Sequence, residues 1–319
     1  MKLNRKKQNK GFILITALWL IIIVSALTTY IYTSTKLQLR ISKHNYETVH
    51  SDIIFENCIS QIAYDITHRK NISIVKSSDK FFNPDYNPTE NFTTKYKITL
   101  LAIQDEESLI NINNTSKTVL ESIFNKLDID ENAVPSLMDW IDEDDDDTNN
   151  GNGAENEYYN NLEEPYFCKN SPLTSINELF FIRNIGSDWT KLKNSVTIYG
   201  DGKININTAT TFTLECIGFP SSLIEKITSY IAGADGILHT DDDNYFNTPE
   251  EIIEKLEEFG YIEEDERQAI QNNLSLLKTN SEYFRIKIRI TINKYYLKDF
   301  EAIIKTNGQK WKIIQIIKT

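Results

Sequence analysis

The densest chemistry in this sequence is a row of carboxylates. Eleven acidic residues fall between Asp139 and Glu164, and no Lys or Arg occurs from Leu127 to Cys168. At its centre runs Asp139-Trp140-Ile141-Asp142-Glu143-Asp144-Asp145-Asp146-Asp147, followed by Gly151, Gly153, Glu155, Glu157, Tyr158 and Tyr159. Like charges this close repel unless a cation lies among them. Alternate carboxylates at Asp142, Asp144 and Asp146 converge if the loop curls, which Gly151 and Gly153 permit. An irregular cage of hard oxygens suits Ca²⁺ better than zinc or Mg²⁺. The expected calcium ligands are Asp142, Asp144, Asp146, Asp147, Glu155 and Glu157, with Trp140 and the tyrosine pair ordering the loop. A solvated acidic loop is the competing reading. The spacing is not that of an EF-hand, whose twelfth position is Glu; counted from Asp142, that position is Gly153. Asp235, Asp241, Asp242 and Asp243 form a second, shorter calcium candidate, with solvation again the alternative.

No catalytic constellation matches this one. His44, His50, His68 and His239 stand in no nucleophile or metal-pair spacing. Paired carboxylates are abundant, but glycosidase chemistry needs two in a sheltered cleft. The sequence therefore predicts no enzyme and no small-molecule substrate. Cys58, Cys168 and Cys216 are too scattered for a disulfide framework or a zinc site. Cys168 and Cys216 either pair in an oxidising compartment or remain buried thiols. Net charge is −12, and beyond Gly11 there are 29 basic against 46 acidic side chains, or −17. Nucleic acid is thereby disfavoured as a partner, since phosphate binding needs clustered Lys and Arg.

The acidic loops sit within a region, 109–277, whose pattern is mainly helical and which contains a repeat. Ile110-Asn111-Ile112-Asn113 precedes one helical run, and Ile204-Asn205-Ile206-Asn207 precedes another. Each continues into a second amphipathic helix, an Asp-rich loop, aromatics and a capped helix. The caps are Ser175 with Glu178, and Thr248 with Pro249 and Glu251. Two related modules, about 109–185 and 203–275, are expected. On either side the pattern is β: Phe92 to Ile103 alternates, and Tyr283 to Lys318 holds two runs joined at Asn307-Gly308, a hairpin signal. Residues 71–91 read as a connection. Segments 71–108 and 278–319 should then form one antiparallel sheet, interrupted by the helical insertion, giving an α+β fold.

Ahead of all this lies Phe12 to Tyr32, 21 residues without charge. At about 1.5 Å per residue it matches the roughly 30 Å hydrocarbon core of a bilayer. Lys2, Arg5, Lys6, Lys7 and Lys10 precede it with no acid among them, which keeps that flank cytoplasmic. No Pro or Gly follows Gly11 until Pro84, and apolar residues recur at Leu37, Ile41, Phe55, Ile59, Ile62 and Ile66. One long helix over 12–70 is predicted, its first part in lipid and its later part packed across the sheet. A signal peptide cut near Val24-Ser25-Ala26 and a plain membrane anchor are the alternatives.

The junction Lys10-Gly11-Phe12 resembles the leader of type IV pilins and pseudopilins, which prepilin peptidase cuts after the Gly, making 1–11 a leader. The fifth residue after that cut is Thr16, where most such proteins have Glu. The stretches Asp139–Asp144, Gly153–Tyr159, Pro165-Tyr166 with Asn170, Ser175–Leu179 and Asn205–Ala209 are together similar to the type II secretion system minor pseudopilin K family (general secretion pathway protein K). The Asp run is longer than that family's commonest pattern, and the second loop has extra residues from Ala234 to Asn244. The resemblance implies a pseudopilin fold with a calcium-binding helical insertion. It also implies a complex with the minor pseudopilins I and J at the tip of a pseudopilus filament of major pseudopilin. The place would be the bacterial inner membrane, crossed once, with the C-terminal domain periplasmic. Two other functions compete. One is a minor pilin of a type IV pilus. The other is a membrane-anchored helix-hairpin-helix binding module, although Gly218-Phe219-Pro220 lacks the Gly-hydrophobic-Gly of the DNA-binding hairpin.

Overall fold

The computed structural model describes residues 8–69, 74–83, 85–88, 96–146, 153–292 and 296–318. The chain forms two compact units, Met1–Asn57 and Cys58–Thr319. The described residues of the first are helical. Helix α1 runs Gln8–Thr67, and of its described residues Gly11–Thr67 form a helix long and apolar enough to cross a membrane. The apolar side chains from Phe12 to Tyr32 are exposed throughout. Their hydroxyl-bearing neighbours are satisfied internally: Thr16, Thr28 and Thr29 donate to the carbonyls of Ile13, Val24 and Ser25 at 2.8–2.9 Å. Such back-bonding lets a polar side chain sit in hydrocarbon without an orphaned donor. Residues 1–7 of the expected leader lie outside the described residues.

The second unit begins with the end of α1. There Cys58, Ile59, Ile62, Ala63 and Ile66 recur at helical spacing and are fully buried. A four-stranded antiparallel sheet follows, in the order β1-β6-β7-β8: β1 Lys97–Asp105, β6 Tyr283–Ile292, β7 Tyr296–Asn307 and β8 Lys310–Lys318. Phe284, Ile286, Ile288 and Ile290 alternate along β6 and are buried, as period two requires of a core-facing strand. The hairpin forms one residue later than the Asn307-Gly308 signal, with Gly308-Gln309 turning between the paired Asn307 and Lys310 and Gly308 at φ 58°, where a side chain would be strained. The first strand begins at Lys97 and runs two residues past the expected Ile103; Phe92 to Lys95 lie outside the described residues.

Between β1 and β6 lies the helical insertion, with two short parallel ladders at its base. β2 (Ile110–Asn111) pairs with β3 (Val196–Thr197), and β4 (Ile204–Asn205) pairs with β5 (Leu277–Lys278). The first half contains α2 Lys117–Lys126, α3 Ala133–Ile141, α4 Asn156–Asn160 and α5 Trp189–Leu192. The second contains α6 Thr211–Cys216, α7 Ser221–Ile231, α8 Ile252–Phe259 and α9 Glu264–Asn273. One apolar cluster from Ile110 to Leu277 serves both halves, so neither has a core of its own.

The halves share a joinery that explains the repeated Ile-Asn-Ile-Asn. Asn111 Oδ1 accepts the Asn113 N–H at 3.0 Å, and Asn205 Oδ1 accepts the Asn207 N–H at 3.2 Å. Asn113 then clamps Leu173 by both backbone groups, at 3.0 and 2.8 Å, while Asn207 clamps Phe246 in the same way, at 3.0 and 2.8 Å. Ser116 caps α2 and Thr210 caps α6. At the later caps the halves differ. Ser175 and Glu178 form the expected capping box, whereas Thr248 makes no side-chain cap bond and Glu251 instead accepts from the Asn247 amides.

Candidate metal centre

Helix α3 carries the first acidic group to its place. Its apolar face sinks Val134, Leu137 and Trp140 into the core, and the same turn buries Asp139 completely. Asp139 Oδ2 accepts the Ala154 N–H at 2.7 Å, which pins the far end of the loop back onto the helix. Asp142 ends α3, and Glu155 stands just before α4 with its carbonyl receiving the N–H groups of Tyr158 and Tyr159 at 2.9 and 3.1 Å. One oxygen from each of Asp139, Asp142 and Glu155 lies within 4.8 Å of the others. An aromatic wall braces the group. Trp140 meets Tyr159 edge-on at 5.2 Å, and Tyr159 lies 5.1 Å from Tyr166. Arg183 holds the Gly153 carbonyl at 2.8 Å and lies over the Tyr158 ring.

Asp139 is satisfied by the Ala154 N–H, but its two neighbours are not. Asp142 Oδ1 and both Glu155 oxygens are buried without a hydrogen-bond partner, and so is Asn170 Oδ1. An orphaned buried acceptor costs about 1–3 kcal/mol, more for a charged group. Burial, then the neighbouring Asp144 and Asp139, pushes Asp142 up to about 6. Burial, then Asp139, Asp142 and Asp145, pushes Glu155 up to about 7. Unpaired hard oxygens facing one another are a donor set that fits Ca²⁺. Asp139, Asp142 and Glu155 would hold the ion.

The remaining expected ligands are placed otherwise. Asp144 Oδ1 is turned to the Asp146 N–H at 3.0 Å, so the alternate carboxylates do not converge. The reason is local: an Asp side chain reaches the N–H two residues on more readily than a distant point. Asp146 and Glu157 are exposed, and Asp147 lies outside the described residues. Asp145, absent from the expected set, accepts from Asn156 Nδ2 at 2.8 Å and so ties the loop to α4. Reading the sequence missed Asp139 and Asn170. The signal for Asp139 was its place three residues before Asp142 on a helix, which puts both on one face. Asn170 takes a left-handed φ of 45° and donates Nδ2 to the Asp144 carbonyl, while its Oδ1 is buried without a partner. Cys168 is a buried free thiol beside the cluster, with Sγ 3.6 Å from the Asp139 carbonyl, and burial pushes it up to about 12. Cys58 and Cys216 are likewise free and buried.

The second loop spends its carboxylates on itself. Asp242 Oδ2 accepts the N–H groups of Ala234 and Asp235 at 2.8 and 3.0 Å, and Asp235 Oδ1 accepts that of Ile237 at 2.7 Å. Asp243 is buried and receives the Ser77 hydroxyl at 2.5 Å and the His239 N–H at 2.9 Å. Asp241 points to solvent. Hydrogen bonds, first from Thr240 and then from the Asp235 N–H, hold Asp242 below the usual carboxylate range. Among the described residues the acids that converge as a metal cluster are those of the first loop.

Residues 95–201, which include the whole first acidic loop, match the family model described as type II secretion system (T2SS), protein K. Type II secretion system protein K of Pectobacterium carotovorum subsp. carotovorum is 24% identical over 204 residues, covering 62% of this chain and 57% of that relative. The match thus spans less than two thirds of the relative's length. A chain of the GspK-GspI-GspJ complex from the enterotoxigenic Escherichia coli type 2 secretion system shares the fold, with a TM-score of 0.65 at 17% identity over 87% of this chain and 98% of that one. In the domain it carries and in the fold around that domain, this chain is similar to the type II secretion system protein K family.

Proposed function

We propose that this protein is a minor pseudopilin that caps or nucleates a periplasmic pseudopilus together with the minor pseudopilins I and J. It acts as an assembly protein rather than an enzyme. The observation that carries this reading is Thr16. A pseudopilin entering behind another subunit is expected to offer a carboxylate at this depth, and such a group is costly in lipid unless the neighbour's terminal amine meets it. Thr16 answers to its own helix at Ile13 and needs no neighbour ahead of it, which suits the first subunit of a filament. The family's solved relative, found in a complex with GspI and GspJ, supports the choice of partners.

In this reading Phe12 to Tyr32 holds the protein in the inner membrane, with the N-terminus cytoplasmic, until assembly. Calcium bound by Asp139, Asp142 and Glu155 fixes the first half of the insertion, the part that distinguishes this chain from a plain pseudopilin. The helix-hairpin-helix alternative is weakened at its one nearby cation, because Lys226 is tied to Glu266 at 2.5 Å. The N-terminal mass after expression with prepilin peptidase tests the export route. Loss of residues 1–11, leaving Phe12, is the expected result. An intact N-terminus would return the protein to a plain anchor, and cleavage after Ala26 would make it a secreted protein.

A further inference from the structure

Past its apolar run, α1 carries a column of cations before any acid appears. Lys36, Arg40 and Lys43 follow Tyr32 at helical positions four, eight and eleven, which lie within about 80° of one another around the axis. All four side chains are exposed, and the Lys36 ammonium lies 5.8 Å from the Tyr32 ring. His44 extends the column, and the first carboxylate is Glu47, 3.9 Å from Lys43. At about 1.5 Å per residue, Lys36 stands roughly 6 Å beyond Tyr32 and Arg40 roughly 12 Å beyond it. A bilayer's headgroup layer is about 5–8 Å deep on each side. Side chains on a helix lean towards its N-terminus, which for this helix is towards the membrane, so the reach of Arg40 is directed back at the headgroups, while Lys43, roughly 16 Å beyond Tyr32 and facing Glu47, marks the outer end of the column.

The charge pattern makes this column unusual within the chain. Everything beyond Gly11 carries a net −17, yet from Gly11 to Tyr46 there are three Lys and Arg and no acid. The rule that cations stay on the cytoplasmic flank would also place none here. Screening confines each charge's influence to about 8–10 Å at physiological salt, so the column is governed by the charges nearest to it.

We infer that Lys36, Arg40 and Lys43 form a cationic collar that binds anionic phospholipid headgroups where the helix leaves the bilayer. The collar fixes the depth and rotation of the anchor. This rests on the membrane-spanning reading of Phe12–Tyr32. The test reconstitutes the full chain in phosphatidylcholine vesicles and measures the association of spin-labelled phosphatidylglycerol relative to spin-labelled phosphatidylcholine. The leader cations contribute equally to every variant that retains them, so differences between variants report the collar. The wild type should prefer phosphatidylglycerol about threefold or more at low salt, and K36Q/R40Q/K43Q should lose at least half of that preference. The charge-keeping K36R/R40K/K43R should retain it, which separates lost charge from a misfolded helix. Equal preference in wild type and the Gln variant, or no preference in the wild type, overturns the collar while leaving the span intact. Release of the protein from the vesicles at alkaline pH would overturn the span itself, and the collar with it.

Discussion

The two halves of the insertion begin alike and end in opposite electrostatics. Each starts from Ile-Asn-Ile-Asn, each uses the second Asn to clamp a distant backbone segment, and each leads to an Asp-rich loop. In the second loop, N–H groups of Ala234, Asp235 and Ile237 turn towards carboxylates, so the loop is closed by its own donors. In the first, Asp142 and Glu155 are drawn inward beside the buried Asp139 and given no donor. The difference teaches that acid count does not make a metal site. What matters is whether backbone N–H groups have already taken the oxygens' lone pairs.

The shared part of the comparison carries the largest expected effect. Asn113→Ala strips two hydrogen bonds from a half-buried clamp and Asn207→Ala two from a buried one, and each should cost about 2–4 kcal/mol in chemical denaturation. Similar losses at both sites mark the halves as structural equivalents; a loss at one alone would break the equivalence. Calcium should then separate them. At about a hundred times its dissociation constant the ion adds roughly 2.7 kcal/mol, which for a unit of this size raises the melting temperature by about 5–10 °C. D142N/E155Q should abolish that rise and D242N/D243N should retain it. A wild-type melting temperature unmoved by millimolar calcium would remove the structural role of the ion.

Proton linkage gives the smallest and sharpest contrast. In calcium-free protein Glu155 is raised to about 7 from 4.5, and Asp142 to about 6 from 3.8. The folded state then holds protons that the unfolded state has lost, so stability falls as pH rises through 6–7 and recovers on acidification towards pH 5. Saturating calcium, which needs both groups ionised, should flatten that slope. Asp242 has the reverse sign: its contribution is present above the ordinary value of 3.8 and is lost as pH falls below it. Melting curves between pH 5 and 8 with and without calcium check the first; a calcium-free protein most stable at pH 8 would contradict it.

Local rules made much of this legible from residues alone. Asn307-Gly308 marked the hairpin because only a turn tolerates the backbone that Gly308 adopts, and the alternation in β6 marked its buried face. The repeated Asn pairs marked the two halves. The carboxylate cluster was legible as a region and not as a set of converging residues. Asp139 looked like one more helical residue, and its role depends on Ala154 folding back onto it from fifteen positions away. Asn170 enters from beyond α4. In the second loop the donors that disarm Asp242 are backbone N–H groups, which leave no mark in a pattern of side chains.

The central claim is that the first loop holds the ion and the second does not. Calcium bound per chain, measured by equilibrium dialysis on the wild type, D142N/E155Q and D242N/D243N, tests it most directly. The account predicts that D142N/E155Q loses the ion that the wild type binds, and that D242N/D243N binds as the wild type does. Calcium retained by D142N/E155Q, or lost from D242N/D243N, would contradict it.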